Sequence, residues 1–168
     1  MMKKCFLFCI VILVNFIIQF TLLQHLKILG VIPNTALILV VCFAILQGKK
    51  DGAIIGFFLG ILQDVYVGNV IGANALSYML IGYGMGNLEK FIFKDNFLNP
   101  VFFTAIATIV YSVLFFFILY MIGYSIHIAM LFQISLFIEM IYNGVLAIFF
   151  YKLVLRFMQY LKSEAKIR

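Results

Sequence analysis

Two acidic side chains stand inside otherwise apolar sequence and are the first candidates for chemistry. Asp64 follows Gly48, Gly52, Gly56 and Gly60 at a constant four-residue step, and Glu139 lies in the last apolar run, one helical turn before Asn143. A carboxylate placed in hydrocarbon costs roughly 2.5–3.5 kcal/mol on insertion scales, so each demands an internal partner, a proton or a ligand. For Asp64 two readings stand side by side: a polar cap on a turn near the outer interface, and a contact with a partner or ligand. Gln63 beside it points elsewhere on a helix. Glu139 is expected near the membrane midplane, facing the bundle interior, either protonated or hydrogen bonded to Asn15, Gln19 or Asn143. Gln133 and Ser135 lie above it, and Asn15 and Gln19 share one helix face.

Other chemistry finds no support in residue spacing. Cys5, Cys9 and Cys42 sit in apolar segments without metal-ligand or disulfide-framework spacing, and His25 and His127 are far apart in separate connections. The chain carries no phosphate-binding loop, no HExxH pair and no nucleophile–base motif. The expectation is a protein with no enzymatic activity, no catalytic residue, no cofactor, no metal and no nucleic-acid partner.

The elements that must position these residues are membrane helices. Of 168 residues, 66% are hydrophobic and 11% charged, and the mean hydropathy is +1.19, which excludes a soluble globular domain. Lys3 and Lys4 before an apolar run resemble a secretory leader, but no small-x-small cleavage site follows, so the run is expected to remain as a first helix. The runs predict an all-α bundle forming a single membrane domain, with six transmembrane helices at about 5–23, 33–47, 52–67, 71–88, 101–122 and 128–150. Pro33-Asn34 opens the second and Pro100 restarts the fifth, while Gly48 to Asp51 and Gly68-Asn69 read as tight turns. The second and third are short for a hydrocarbon core of about 30 Å, which implies local thinning, polar extensions or burial within protein. The fifth, apolar and aromatic throughout, is expected to face lipid or fill the core.

The glycines organise the middle of the chain. Gly52, Gly56 and Gly60 would form a groove on one helix face with Asp64 one turn on, and Gly82 and Gly86 repeat the step on the following helix. Two such helices can pack backbone to backbone, so these residues are read as helix-packing or partner-binding positions. In orientation, eleven basic residues (Lys3, Lys4, Lys49, Lys50, Lys90, Lys94, Lys152, Arg156, Lys162, Lys166, Arg168) fall on one side against Lys27 on the other. Basic residues stay cytoplasmic, so both termini are expected there, with 151–168 as a basic cytoplasmic tail able to continue the sixth helix along anionic lipid.

Pro33-Asn34, Gly48, Gly52, Gly56-Phe57, Gly60, Asp64, Gly72, Asn74-Ala75-Leu76 and Gly82 together resemble the pattern of the MreD family of rod shape-determining membrane proteins, and Tyr142-Asn143 is similar to a motif in that family's final helix. The resemblance covers the second to fourth helices best and extends to length and span count. It implies a multi-pass protein of the bacterial cytoplasmic membrane in the cell-elongation machinery. There it would bind the bitopic partner MreC and link cytoplasmic MreB filaments to peptidoglycan synthases. The family fold is similar to that of the substrate-binding S components of energy-coupling-factor vitamin transporters. Such a component is the alternative function, with Gln24, Asp64, Asn69 and Asn74 as candidate pocket residues.

Overall fold

The computed structural model describes residues 2–25, 27, 29–67, 70–91, 98–124 and 134–166. Expectations placed on Gly68, Asn69, Lys94, His127, Gln133, residues 128–133 and Arg168 lie outside the described residues. Within them the chain is helical, with six α-helices and no strand element.

Helix α1, Met2–Ile17, continues as a π-helical turn, Ile18–Leu22, and a short 3-10 turn, Leu23–His25. The others are α2 (Thr35–Gln47), α3 (Lys49–Val67), α4 (Ala73–Asn87, prolonged by a 3-10 turn Leu88–Phe91), α5 (Leu98–Met121) and α6 (Ile134–Lys166). Three stretches are long and apolar enough to cross a membrane: Phe8–His25, Leu98–Met121 and Ile134–Gln159. Helices α2 to α4 are shorter or more polar and pack among them.

Helix α2 is the centre of the bundle. Every residue from Thr35 to Leu46 is buried, and the helix touches all five others. Its sequence has no polar face, and a helix that is apolar all round belongs in an interior. Thirteen residues rise only about 20 Å, too short for the hydrocarbon core. Burial within protein removes that conflict, which is the last of the three explanations that short runs allowed. The core around α2 includes Phe43, Ile55, Tyr78, Ala107, Ala147, Tyr151 and Val154.

The closest helix pair is α3 with α4, running antiparallel. A Cβ added at Gly56 would lie under 3.0 Å from the backbone of Tyr78, one at Gly60 from that of Asn74 and Ala75, and one at Gly82 from that of Gly52. At Gly86 the same is true of Lys49, and at Gly52 of Gly82 and of Ala44 on α2. Each glycine of the four-residue step thus lets the backbone of the facing helix come to a distance that a side chain at that position would prevent.

Several boundaries differ from those read in the sequence. Only Gly48 interrupts the path from α2 to α3; at φ +86° it closes α2 with its N–H on Ala44 O (2.9 Å), and Lys49, Lys50 and Asp51 are already the first turn of α3. Lysines and an aspartate in a first turn are helix-compatible, so a charged turn was the wrong inference from polarity alone. Pro33 precedes the capping residue Asn34 instead of entering the helix, and α5 begins at Leu98, two residues before Pro100. The basic segment, by contrast, continues α6 as helix to Lys166, in keeping with the sequence reading. Helix α5 contributes Thr104, Ala107 and Thr108 to the buried interior.

Candidate functional site

A short helix starting inside a membrane protein presents backbone N–H groups that water cannot reach, and they must be met by side chains. This requirement builds a polar collar around the start of α2. Asn34 is the N-cap, its Oδ1 accepting from Leu37 N at 3.0 Å. The N–H of Thr35 donates to Gln19 Oε1 at 2.9 Å, and the Thr35 hydroxyl also bonds that oxygen while accepting from Asn15 Nδ2 at 2.9 Å. Gln19 Nε2 donates to Pro33 O at 3.0 Å. The π-helical turn of α1 contains Gln19, and such bulges are frequent at functional positions.

From α6, Asn143 Oδ1 accepts from Asn34 N at 2.8 Å and its Nδ2 donates to Thr108 Oγ1 on α5 at 3.1 Å. Asn143 is fully buried, so these bonds tie three helices together without water. From α4, the Tyr78 hydroxyl accepts from Asn34 Nδ2 at 2.8 Å and lies 3.0 Å from Gln63 Oε1 on α3. All six helices therefore contribute to one buried polar layer. In the low-dielectric interior such a layer rigidifies the bundle only if its members are satisfied, and nearly all are. Among the described residues Thr104 Oγ1 is the buried side-chain oxygen without a partner.

Asp64 belongs to the same layer. It is 1% exposed, and its two oxygens accept from Gly72 N (2.9 Å), Asn74 N (3.0 Å), Asn74 Nδ2 (2.8 Å) and Ala75 N (3.1 Å). Gly72 is the N-cap of α4, in the left-handed region at φ +101°, and has no side chain with which to cap. Asp64 supplies the cap from α3, its negative charge at the positive end of the α4 dipole. Of the two readings open for Asp64, the geometry is that of the cap. Asn74 Oδ1 in turn accepts from Tyr111 OH at 2.6 Å, and the Tyr111 ring lies 5.2 Å from that of Tyr78.

The sequence-derived residues fall into three places. Gly52, Gly56, Gly60, Gly82 and Gly86 form the α3–α4 contact; Asn15, Gln19, Asp64 and Asn143 lie in the collar; Glu139 lies at its edge. Glu139 shares a cleft with Leu29 to Ile32 of the α1–α2 connection and with Tyr111, near the middle of α5. Of the partners named for Glu139, Asn143 Nδ2 lies at 3.5 Å, whereas Asn15 and Gln19 are committed to Thr35 and Pro33. Asn34, Thr35, Tyr78, Thr108 and Tyr111 were missed as site residues. Pro-Asn-Thr immediately before an apolar run is an N-cap signal that points to the first two. Gln63, expected to point elsewhere than the Asp64 cap, serves the Tyr78 branch of the collar. His25 remains without an assigned role: it is exposed, its Nδ1 3.0 Å from Thr21 O.

Two recesses flank the collar. One, of about 490 Å³, is lined by Gln19, Gln24, Asn34, Gln63, Tyr111, Ser135 and Glu139 together with apolar residues of α1 and the α1–α2 connection. The other, of about 300 Å³, lies among Asp64, Val67, Asn74, Phe115, Leu119 and Tyr124. At the opposite end of the bundle, Gln47 Nε2 lies 2.8 Å from Met158 Sδ, and Lys49 Nζ stands 5.3 Å from the Tyr83 ring centre. Among the described residues no group of three or more His, Cys, Asp or Glu is arranged to hold a metal.

No curated protein and no solved structure matches the chain. The family model of rod shape-determining protein MreD matches residues 2–161 of the 168, across α1 to α6, and these helices with their collar thus belong to a member of the MreD family of shape-determining membrane proteins.

Proposed function

We propose that this protein is a non-enzymatic, multi-pass subunit of the cell-elongation complex in the bacterial cytoplasmic membrane. It binds a single-span, MreC-like partner and so helps couple MreB filaments to peptidoglycan synthesis. The family match carries the reading. The structure adds a rigid α3–α4 pair, braced by Asp64 at one end, and beside it the 490 Å³ cleft into which the membrane-proximal part of a partner can enter. Lys49, Lys50 and Arg156 belong to the end opposite the cleft, near Gln47 and Met158, while Lys27 follows the α1 turns at the cleft end. The basic bias then puts both termini in the cytoplasm and the cleft outside. Reporter fusions after Arg168 should read cytoplasmic and fusions at Gly123 external; an external C-terminus would overturn that orientation.

The binding test is co-purification from mild detergent of the full chain with its own MreC-like protein. A stable complex is expected, together with rounding of rod-shaped cells on depletion. Should the protein ignore that partner and instead carry a tightly held vitamin, the S-component alternative takes its place.

A further inference from the structure

The larger cleft has an unbalanced chemistry. Glu139 is the one carboxyl on its wall, and no Lys, Arg or His lines it among the described residues. Glu139 Oε1 receives a single long hydrogen bond from Asn143, 3.5 Å, and Oε2 receives none from the described residues. The neighbouring amides are differently placed. Gln19 and Gln63 spend their carbonyl oxygens on Thr35 and Tyr78, whereas Gln24 uses only its Nε2, toward Tyr66 OH at 3.4 Å, and keeps its oxygen available. The Gln63 amide and the Ser135 hydroxyl also line the cleft, so its neutral groups supply donors as well as acceptors, while its single charged group among the described residues is the Glu139 carboxylate. Two aromatic rings, Phe20 and Tyr111, share the wall with them, and Leu29, Val31 and Ile32 add an apolar surface. A carboxylate with no fixed cation beside it, flanked by aromatic rings, holds an ammonium ion through charge-assisted hydrogen bonds. An ammonium brings the positive charge that the cleft lacks, and its donors can be met by the Glu139 and Gln24 oxygens. The apolar strip suits an alkyl stem.

We propose that the cleft beside the collar is a binding site for a primary alkylammonium group, with Glu139 as its counter-ion, Phe20 and Tyr111 as its aromatic wall and Gln24 as a further acceptor. The same chemistry is carried by a free alkylamine and by a lysine side chain that another protein presents. The lysine source rests on the partner reading above; the ammonium preference does not.

The test is calorimetric titration of the full chain in nanodiscs with n-butylammonium, with n-butanol as the uncharged isostere, and with N-acetyl-lysine methylamide. Butylammonium is expected to bind about tenfold or more tighter than butanol, the difference due to the charge. Glu139→Gln should remove that preference while Glu139→Asp retains part of it. The aspartate variant and the butanol comparison keep the test valid if the glutamine variant does not accumulate. Tighter binding of the lysine derivative than of butylammonium supports a protein lysine as the occupant; the reverse order supports a free amine. Equal binding of butylammonium and butanol, or an unchanged preference in Glu139→Gln, overturns the site. Because no partner protein is used, this result and the co-purification can fail separately.

Discussion

Gly60→Ala is expected to cost the bundle about 1–3 kcal/mol and to lower its melting temperature in detergent, whereas Gly84→Ala should leave it unchanged or gain a few tenths. Both replacements add one methyl group to a helix, and both relieve the entropic cost of glycine there. They differ only in what the methyl meets. At Gly84 nothing lies within 4 Å, while at Gly60 the backbone of Asn74 and Ala75 lies under 3.0 Å away. Backbone atoms have no rotamer to escape into, so α3 and α4 must separate. Alanine alone, without any larger side chain, is thus costly at Gly60. Gly56→Ala should behave like Gly60→Ala, against the Tyr78 backbone, and would also tilt Tyr78 away from Asn34 and Gln63. Thermal unfolding of the three variants side by side, with membrane accumulation as a second readout, measures the effect. Wild-type melting of Gly60→Ala would mean that the helices do not pack at this distance.

Much of this architecture was legible because lipid imposes simple rules. Glycines at a four-residue step in apolar sequence declare a close helix pair, and the structure places Gly52, Gly56 and Gly60 against α4 in the order the spacing demands. What the spacing did not tell was which helix is central. The apolar run from Thr35 to Leu46 reads equally as lipid-exposed or as interior, because lipid and a protein core are alike in polarity. The thirteen residues of α2 were the usable signal, too few to cross hydrocarbon unaided.

The collar was half legible. Asn15, Gln19, Asp64 and Asn143 stood out as polar residues in apolar surroundings, yet their partners lie up to 109 residues away, as Asn34 does from Asn143. No local pattern encodes such pairings. Tyr78 and Tyr111 were overlooked for a related reason: aromatic residues are expected in a membrane helix, and their hydroxyls attract notice only once Asn34 and Asn74 are seen within reach. Glu139 was found, yet of its expected partners only Asn143 lies within reach, because Asn15 and Gln19 are engaged with Thr35 and Pro33.

Asp64→Asn should destabilise the protein by about 3 kcal/mol, although it changes one atom. The carboxylate faces four donors and nothing else: the N–H groups of Gly72, Asn74 and Ala75 and the Asn74 amide. An asparagine keeps one acceptor oxygen and turns an NH₂ group toward the remaining donors. Whichever way the amide is turned, two donors lose their partner: Gly72 and Ala75 N–H in one orientation, the two Asn74 groups in the other. Each buried unpaired donor costs about 1–3 kcal/mol, and the favourable charge at the α4 N-terminus is lost as well. The damage should travel, because Asn74 also orients Tyr111, which forms part of the cleft wall. Asp64→Glu, with the charge retained on a longer stem, should fall between wild type and Asp64→Asn; Asp64→Ala, leaving all four donors unmet, should be the worst. The order wild type, Glu, Asn, Ala in melting temperature is the signature of a cap. If Asp64 instead served a partner directly, Asp64→Asn would melt as wild type and lose only the complex, and that pattern would overturn the capping role.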